Sequence, residues 1–397
     1  MVLLFAVVYI FSNNEHIREE IGDKGFDLMD KFVLSKERVH LTNAPSLLLF
    51  SYDNLYMKSK NLWDEDNNSN YGNLFERSRL TEFIEVLDNR STRLKKFGKA
   101  TPKALFVDFD LSFTLMPNGH TLSEPDRAFL ERLKVKRDYV IVLPKTQSAN
   151  FVEKSEDKQI QALIAQKKIV FASVGFNLSK DNTVRRYRAF EKFHENGVEK
   201  LYPNVNVVLW RLSQNQERKE SLKNRDVVSN RILFKANEEG LATQSKWENY
   251  KHYSVLRHES KKSDRIALME YANAIVMLGT SYTNNADTFQ VLNIFGSEEQ
   301  SGVEIHANTL MSLFFFDGQL KLLSFKKSML MVFLWVFVVD ALLSTFLLLL
   351  GLKSSTWTNI LSITLSVVVM FLFSLALLNR AYWFDWFAPT VLFDIMI

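Results

Sequence analysis

Asp108 and Asp110 stand one residue apart in "KALFVDFDLSF", residues 103–113, a stretch that alternates as a strand does. In that pattern Leu105, Val107, Phe109, Leu111 and Phe113 share one face while Asp108, Asp110 and Ser112 share the other, so two carboxylates lie side by side at a strand end. The sharper use of such a pair is phosphoryl transfer. The plainer one is that both acids cap loops and pair with basic residues such as Arg185 or Arg186, in "TVRRYRAF". Those arginines in turn suit either an anion or an acid-paired, solvated face.

A second cluster lies in "SGVEIHANTLMSLFFFDG", residues 301–318. Gly302 is expected to let the chain turn into a helix, Glu304 to occupy its first turn, where negative charge is favoured, and Leu310, Leu313 and Phe314 to form its packing face. His306 and Asn308, buried near the helix start, are expected to bond the preceding loop "TSYTNNADT", with Asp287 as a candidate partner. On that basis they are architectural, with ligand sensing by His306 as the alternative. No Gly-rich phosphate loop, His-Glu-x-x-His helix or Gly-x-Ser-x-Gly elbow occurs, and no cofactor is expected.

The elements that must position these residues form an α/β pattern. Strand-like apolar runs occur at 46–53, 103–113, 138–144, 169–176, 204–210 and 273–281. Between them "LFERSRLTEFIEVLDN" has helical spacing, and "SEPDRAFLERLKV" opens with Ser-x-x-Asp and a proline in its first turn. Alternation of this kind predicts a largely parallel or mixed sheet with covering helices. The polar stretch 64–73 reads as an exposed loop and 213–226 as a solvated helix or loop.

Hydrophobicity is concentrated at the ends. Residues 329–351 and 357–378 each suffice to cross about 30 Å of hydrocarbon as a helix. The tail 381–397, opening with Tyr and Trp, predicts a third span, and residues 1–12 a short signal anchor or partial span. The body between them, 13–325, is a water-soluble domain. Asp340, inside the first of these spans, is costly in lipid and is expected to face another helix or a partner subunit, or else to sit protonated and bonded to Ser344. Asp394 supports the same polar contact. The net charge of +4 over 397 residues is interleaved and so excludes a nucleic-acid surface, while the absence of cysteine excludes disulfides and thiolate chemistry.

Two families share these motifs. Asp-x-Asp-x-Ser after an apolar strand resembles the first motif of haloacid-dehalogenase-like phosphatases, which implies Asp108 as nucleophile and Asp110 as acid, with Mg²⁺ nearby. Leu111-Ser112 departs from that motif's Gly-Thr, and the later acidic pair that completes it has no counterpart. "NAIVMLGTSYTNNADTF" followed by "SGVEIHANTLMSLF" resembles the end of the CHASE2 domain, an extracytoplasmic sensory module of bacterial membrane receptors. "KGFDLMDKF", "LLLFSYDNLY", "PKALFVDFDLSF" and "FNLSKDNTVRRYRAF" extend the likeness over about 20–325.

The CHASE2 resemblance implies a bacterial inner-membrane protein whose main domain is periplasmic, with the lipid bilayer and an unknown extracytoplasmic ligand as partners. It is not expected to be an enzyme. No output domain is expected beyond the tail, so the signal is expected to pass through the helices to a separate protein, with a homo-oligomer or membrane-complex subunit as the assembly. The alternative is a non-sensing structural subunit of an envelope assembly. Lys321, Lys326, Lys327 and Arg380 on the domain side, against Lys353 on the other, run counter to this orientation on a simple charge count. Long domains, however, translocate largely regardless of flanking charge.

Overall fold

The computed structural model describes residues 26, 44–60, 63–64, 69–70, 77–112, 122–146, 150–179, 182–195, 197–214, 232, 250–259, 267–281, 287–293, 296–318, 321–322, 325–349, 356–378 and 382–383. Residues 1–12, most of "KGFDLMDKF" and the greater part of the 64–73 and 213–226 stretches lie outside them. The chain divides into two units.

The larger unit is built on a six-stranded parallel sheet. Its strands are β1 (Leu47–Tyr52), β2 (Ala104–Val107), β3 (Val140–Lys145), β4 (Ile169–Ser173), β9 (Tyr250–Ser254) and β10 (Ile275–Thr280), in the spatial order β9-β1-β10-β2-β3-β4. Between β4 and β9 lie β5 (Phe176–Leu178), β6 (Val184–Tyr187), β7 (Phe190–Glu195) and β8 (Val198–Pro203), which pair as two small antiparallel ribbons. After β10 come β11 (Thr288–Asn293) and β12 (Gly296–Ser301). The largely parallel sheet predicted from the apolar runs is therefore present.

Strand residues buried on both sides dictate two helical layers. Leu48, Phe50, Leu105, Val107, Ile141, Leu143, Val276 and Leu278 face α1 (Ser78–Lys96), α2 (Glu124–Leu133), α3 (Lys158–Ala165) and α5 (Val255–Glu259) in one contiguous core. α1 presents Leu80, Phe83, Ile84 and Leu87 to it, as the helical spacing in the sequence predicts, and Leu94 beyond that stretch; Leu74 and Phe75 of the same pattern lie outside the described residues. α2 begins with the expected capping box, Ser123 and Asp126 each bonding the other's backbone, and has Pro125 in its first turn.

The other face is covered by α4 (Val205–Ser213) and α6 (Gly302–Phe315). Every residue of α6 is buried, as befits a helix apolar nearly all round. α4 corrects the prediction of a strand over 204–210: Asn204 caps a helix there by accepting from the Asn206 amide. A short, fully buried stretch such as 204–210 has too little period to tell strand from helix, and the cap decides it.

Gly279 of β10 shows how closely α6 lies on the sheet. A Cβ at that position would stand 2.6 Å from Cβ of Val303. We expect Gly279→Ala to destabilise the fold by about 1–3 kcal/mol in denaturant melts, with part of the loss recovered when Val303→Ala is added.

The smaller unit contains α7 (Phe325–Leu349) and α8 (Thr356–Leu378), which pack on each other, and a two-residue strand Lys321–Leu322 paired in parallel with Tyr382–Trp383. Tyr382 and Trp383, assigned from sequence to a third helical span over 381–397, are extended; paired aromatic residues favour a strand. The rest of that span lies outside the described residues. Among the described residues, no helix is long and apolar enough to cross a membrane.

Candidate functional site at the carboxyl edge of the sheet

β1, β2 and β3 each lead to a helix on the α1 face, whereas β10, lying between β1 and β2, leads by way of β11 and β12 to α6 on the opposite face. The carboxyl ends of the strands, at such a switch in the direction of the connections, are the usual place for a ligand in a sheet of this kind. The sequence sets polar residues here: Ser51 and Asp53 at the end of β1, Ser281 after β10, Asp108 after β2, His252 and Ser254 in β9, and the first turn of α6.

Asp108 and Asp287 are the most perturbed carboxyls at this edge. The Asp108 amide donates to the Leu278 carbonyl at 2.8 Å, which carries the end of β2 alongside β10. Burial, and then the charge of Asp287, hold the Asp108 carboxyl well above the usual carboxylate range. Asp287 precedes β11, and its carbonyl accepts from the Gly302 amide at 2.9 Å. Burial raises its carboxyl to about 6, with the Gly302 amide pulling the other way. A Cβ on Gly302 would collide with that carboxylate. Gly302 is thus the first residue of α6, required for space; it is not among the glycines with positive φ, so the turn-making role expected of it is not the one it has.

Glu304 fulfils the first-turn expectation as half of a capping box: its Oε2 accepts from the Ser301 amide and hydroxyl, both at 2.9 Å. Its Oε1 lies 3.8 Å from Nδ1 of His252. Nε2 of His252 is 2.8 Å from Ser51 Oγ, which accepts at 2.7 Å from the Ser281 hydroxyl. Ser51 thus joins the imidazole of His252 to Ser281, while the other ring nitrogen faces Glu304. Burial holds this imidazole neutral, down to about 4. The order Ser-His-Glu is that of a nucleophile relay, but Ser51 is completely buried, so the array ties β1, β9, β10 and α6 together.

His306 is buried with its ring against Phe176 at 4.5 Å and Phe106 at 5.4 Å. Its Nδ1 accepts from Asn206 of α4 at 3.0 Å, and burial holds it neutral, down to about 3. The partner is thus α4 rather than the loop before α6. Asn308 donates to Gln300 at 3.3 Å and to the Glu304 carbonyl at 3.2 Å, joining β12 to α6. Both contacts are of the kind expected if these two residues are architectural.

Asp110 is exposed and separated from Asp108 in role, because β2 stops at Val107. Its Oδ1 accepts from the Ser112 amide at 2.9 Å and hydroxyl at 2.5 Å, a local loop cap. Arg77 donates to the Ser112 carbonyl at 2.6 Å and pairs with Asp126 at 2.5 Å, binding this loop to α2. Arg185 is buried rather than solvated and donates to Thr183; Arg186 faces Asn177 across the β5–β6 ribbon. Asp340 falls within α7, and its side chain lies outside the described residues. Among the described residues, no group of three or more His, Asp or Glu side chains is placed to hold a metal ion.

Sequence patterning missed β9 altogether. "YKHYS" holds no apolar run, and its place beside β1 is fixed by pairing with Leu47–Ser51, about two hundred residues away in sequence. Its two tyrosines, Tyr250 and Tyr253, which favour strands, are the sign the sequence offers.

The architecture is that of a parallel α/β sheet covered on both faces, with polar side chains gathered at the switch in strand connections. Residues 90–342 match the family model of the CHASE2 domain, which is more than half of the 397 residues, and the chain belongs to that family of extracytoplasmic sensory domains. The match runs from within α1 into α7, so β1, the second strand of the sheet, precedes it. No curated protein and no solved structure matches the chain.

Proposed function

We propose that the protein is a bacterial inner-membrane sensor whose sheet domain lies outside the cytoplasm, binds or registers a signal at the carboxyl edge of the sheet, and passes it through α7 and α8 to a partner protein. The observation that carries this is the continuity of the CHASE2 match from α1 into α7, which makes the sheet domain and the first apolar helix parts of one family unit. The outward surface of α7 supports a lipid setting: Leu330, Leu334, Phe337, Leu342, Phe346 and Leu349 are all exposed. A row of exposed apolar side chains on this scale is stable in hydrocarbon and costly in water. Asp340, within this helix, is where a polar contact with a partner helix is expected.

Phosphatase chemistry at Asp108 gains no support from the geometry. A nucleophilic carboxylate must be ionised, and both burial and Asp287 favour the protonated form of Asp108. The sensory reading is tested by whether exposed lysines of the sheet domain can be reached from outside an intact inner membrane.

A further inference from the structure

The fold gathers at one edge cations that the sequence spreads along the chain. β2, β3 and β4 lie side by side with their starts together: the Val140 amide donates to the Lys103 carbonyl at 3.1 Å, and the Ile141 amide to the Lys168 carbonyl at 2.9 Å. The segments that lead into these strands, 93–103, 131–138 and 165–168, therefore meet along the amino edge of the sheet, opposite the polar carboxyl edge. They are rich in lysine and arginine, and their acids are Glu131 and Asp138.

Those acids are already matched. Lys134 pairs with Glu131 at 2.6 Å and Lys95 with Asp138, while Arg132 and Arg137 are turned to Asp88 of α1. Lys103 donates to the Ser213 carbonyl at 2.9 Å. There remain Arg93, Lys96, Lys99, Lys136, Lys167 and Lys168, none of which is in an ion pair among the described residues. All but Lys168 are exposed. The helix dipole accounts for Arg93 and Lys96, in the last turn of α1. It does not account for Lys99, Lys136, Lys167 and Lys168, which stand beyond the ends of α1, α2 and α3.

Apolar side chains lie open among these charges: Phe97, at the end of α1, is 66 % exposed and Val135, after α2, is 42 % exposed. The chain also leaves the domain here. α6 starts beside Gly279, near the carboxyl end of β10, and beyond its other end a Cβ on Gly318 would stand 2.7 Å from the Trp210 ring of α4. The last residue of α4, Ser213, is the one that Lys103 bonds. α7, the first apolar helix, opens at Phe325, a short way further along the chain.

We propose that the amino edge of the sheet is a docking surface for the anionic lipid headgroups of a bilayer, with Phe97 and Val135 entering among them and the unpaired cations meeting their phosphates. A lipid surface fits better than a soluble polyanion because the edge joins open apolar groups to its charge and because the chain passes from it into α7. Each cation brought to such a surface favours docking about fivefold, and salt screens the attraction. The proposal rests on the membrane setting of α7 proposed above.

The chain holds no cysteine, so a nitroxide on Ala100→Cys reports this edge alone. One on Val198→Cys is the control, since Val198 lies opposite Glu195, which Lys145 holds at the end of β3. Both sites are exposed. The full-length protein is placed in nanodiscs of phosphatidylcholine, or of phosphatidylcholine mixed with phosphatidylglycerol, and contact of the label with a neutral nickel chelate in the water is measured by power saturation. At position 100 that contact should fall several-fold from neutral to mixed discs; at 198 it should not change. Lys96→Gln, Lys136→Gln and Lys167→Gln should each lower the docked-to-undocked ratio about fivefold, and salt of about 1 M should abolish docking.

Equal contact at position 100 in the two kinds of disc would overturn the proposal. So would the same fall produced in neutral discs by inorganic phosphate, which would make the edge a small-anion site. A chain that does not enter discs at all removes the membrane setting and the docking together, whereas equal contact in a chain that has entered them removes the docking alone. Labelling of Lys192 and Lys200, on the β7–β8 ribbon, reads the side of the membrane whatever this edge does.

Discussion

Moving from pH 7 to pH 5 is expected to cost the sheet domain about 6 kcal/mol through three histidines, the largest single effect the structure implies. His252, His258 and His306 are all buried, and burial lowers them from 6.5 to about 4, 3 and 3 respectively. For His258 the charge of Arg90 adds to burial, while the Phe83 carbonyl pulls back. Each is neutral when folded and takes up a proton when unfolded once the pH falls below about 6.5, so stability present above that value is lost on acidification. At pH 5 the unfolded chain lies about 1.5 pH units below its histidine value, worth about 2 kcal/mol per imidazole. Asp287 works against them, returning about 1 kcal/mol as it takes up its proton. Denaturant midpoints at the two pH values measure the sum, and NMR of the imidazoles checks its cause. Rings still neutral at pH 5 fit the account; rings that protonate near 6.5 in the folded protein contradict it.

The second large effect is at Phe50. It sits at the middle of β1 with Phe83 of α1 at 5.4 Å, Tyr253 of β9 at 5.7 Å, His258 of α5 at 4.9 Å and Tyr271 at 6.0 Å. These rings gather four elements around β1, and a fully buried aromatic ring cannot be removed without leaving a void. Phe50→Ala should destabilise the domain by about 3–5 kcal/mol, and Phe50→Leu by clearly less, since most of the volume is kept. Urea unfolding of the three proteins ranks them. Equal losses for Ala and Leu would show that ring geometry, rather than filled volume, holds this layer together.

Much of the scaffold was legible in sequence because its signals are local. The apolar runs that became β1, β3, β4 and β10 are buried on both faces and have no other way to hide, and the capping residues of α2 and α6 announce helix starts within four residues. What was not legible depends on distance along the chain. β9 needed β1 to become a strand, and α4 looked like one until Asn204 capped it.

The site divides in the same way. Glu304 as a first-turn acid is a local fact, whereas the partnership of Asp287 with Asp108 brings together residues about 180 apart in sequence. His306 was rightly placed near a helix start, but its partner comes from α4, a hundred positions upstream, which no local pattern specifies. Asp110 was grouped with Asp108 by strand alternation, and that grouping dissolved because β2 ends at Val107.

The account depends most on which side of the inner membrane the sheet domain occupies. Lys136, Lys154, Lys158, Lys167, Lys192, Lys200 and Lys251 are all exposed on it, so an amine reagent that cannot cross that membrane will find them if it reaches the domain at all. In cells with a permeable outer membrane and an intact inner one, these lysines should be modified as fully as after lysis, while a cytoplasmic control protein stays unmodified. Lysines that react only once the inner membrane is broken would place the domain in the cytoplasm and contradict the proposed sensor.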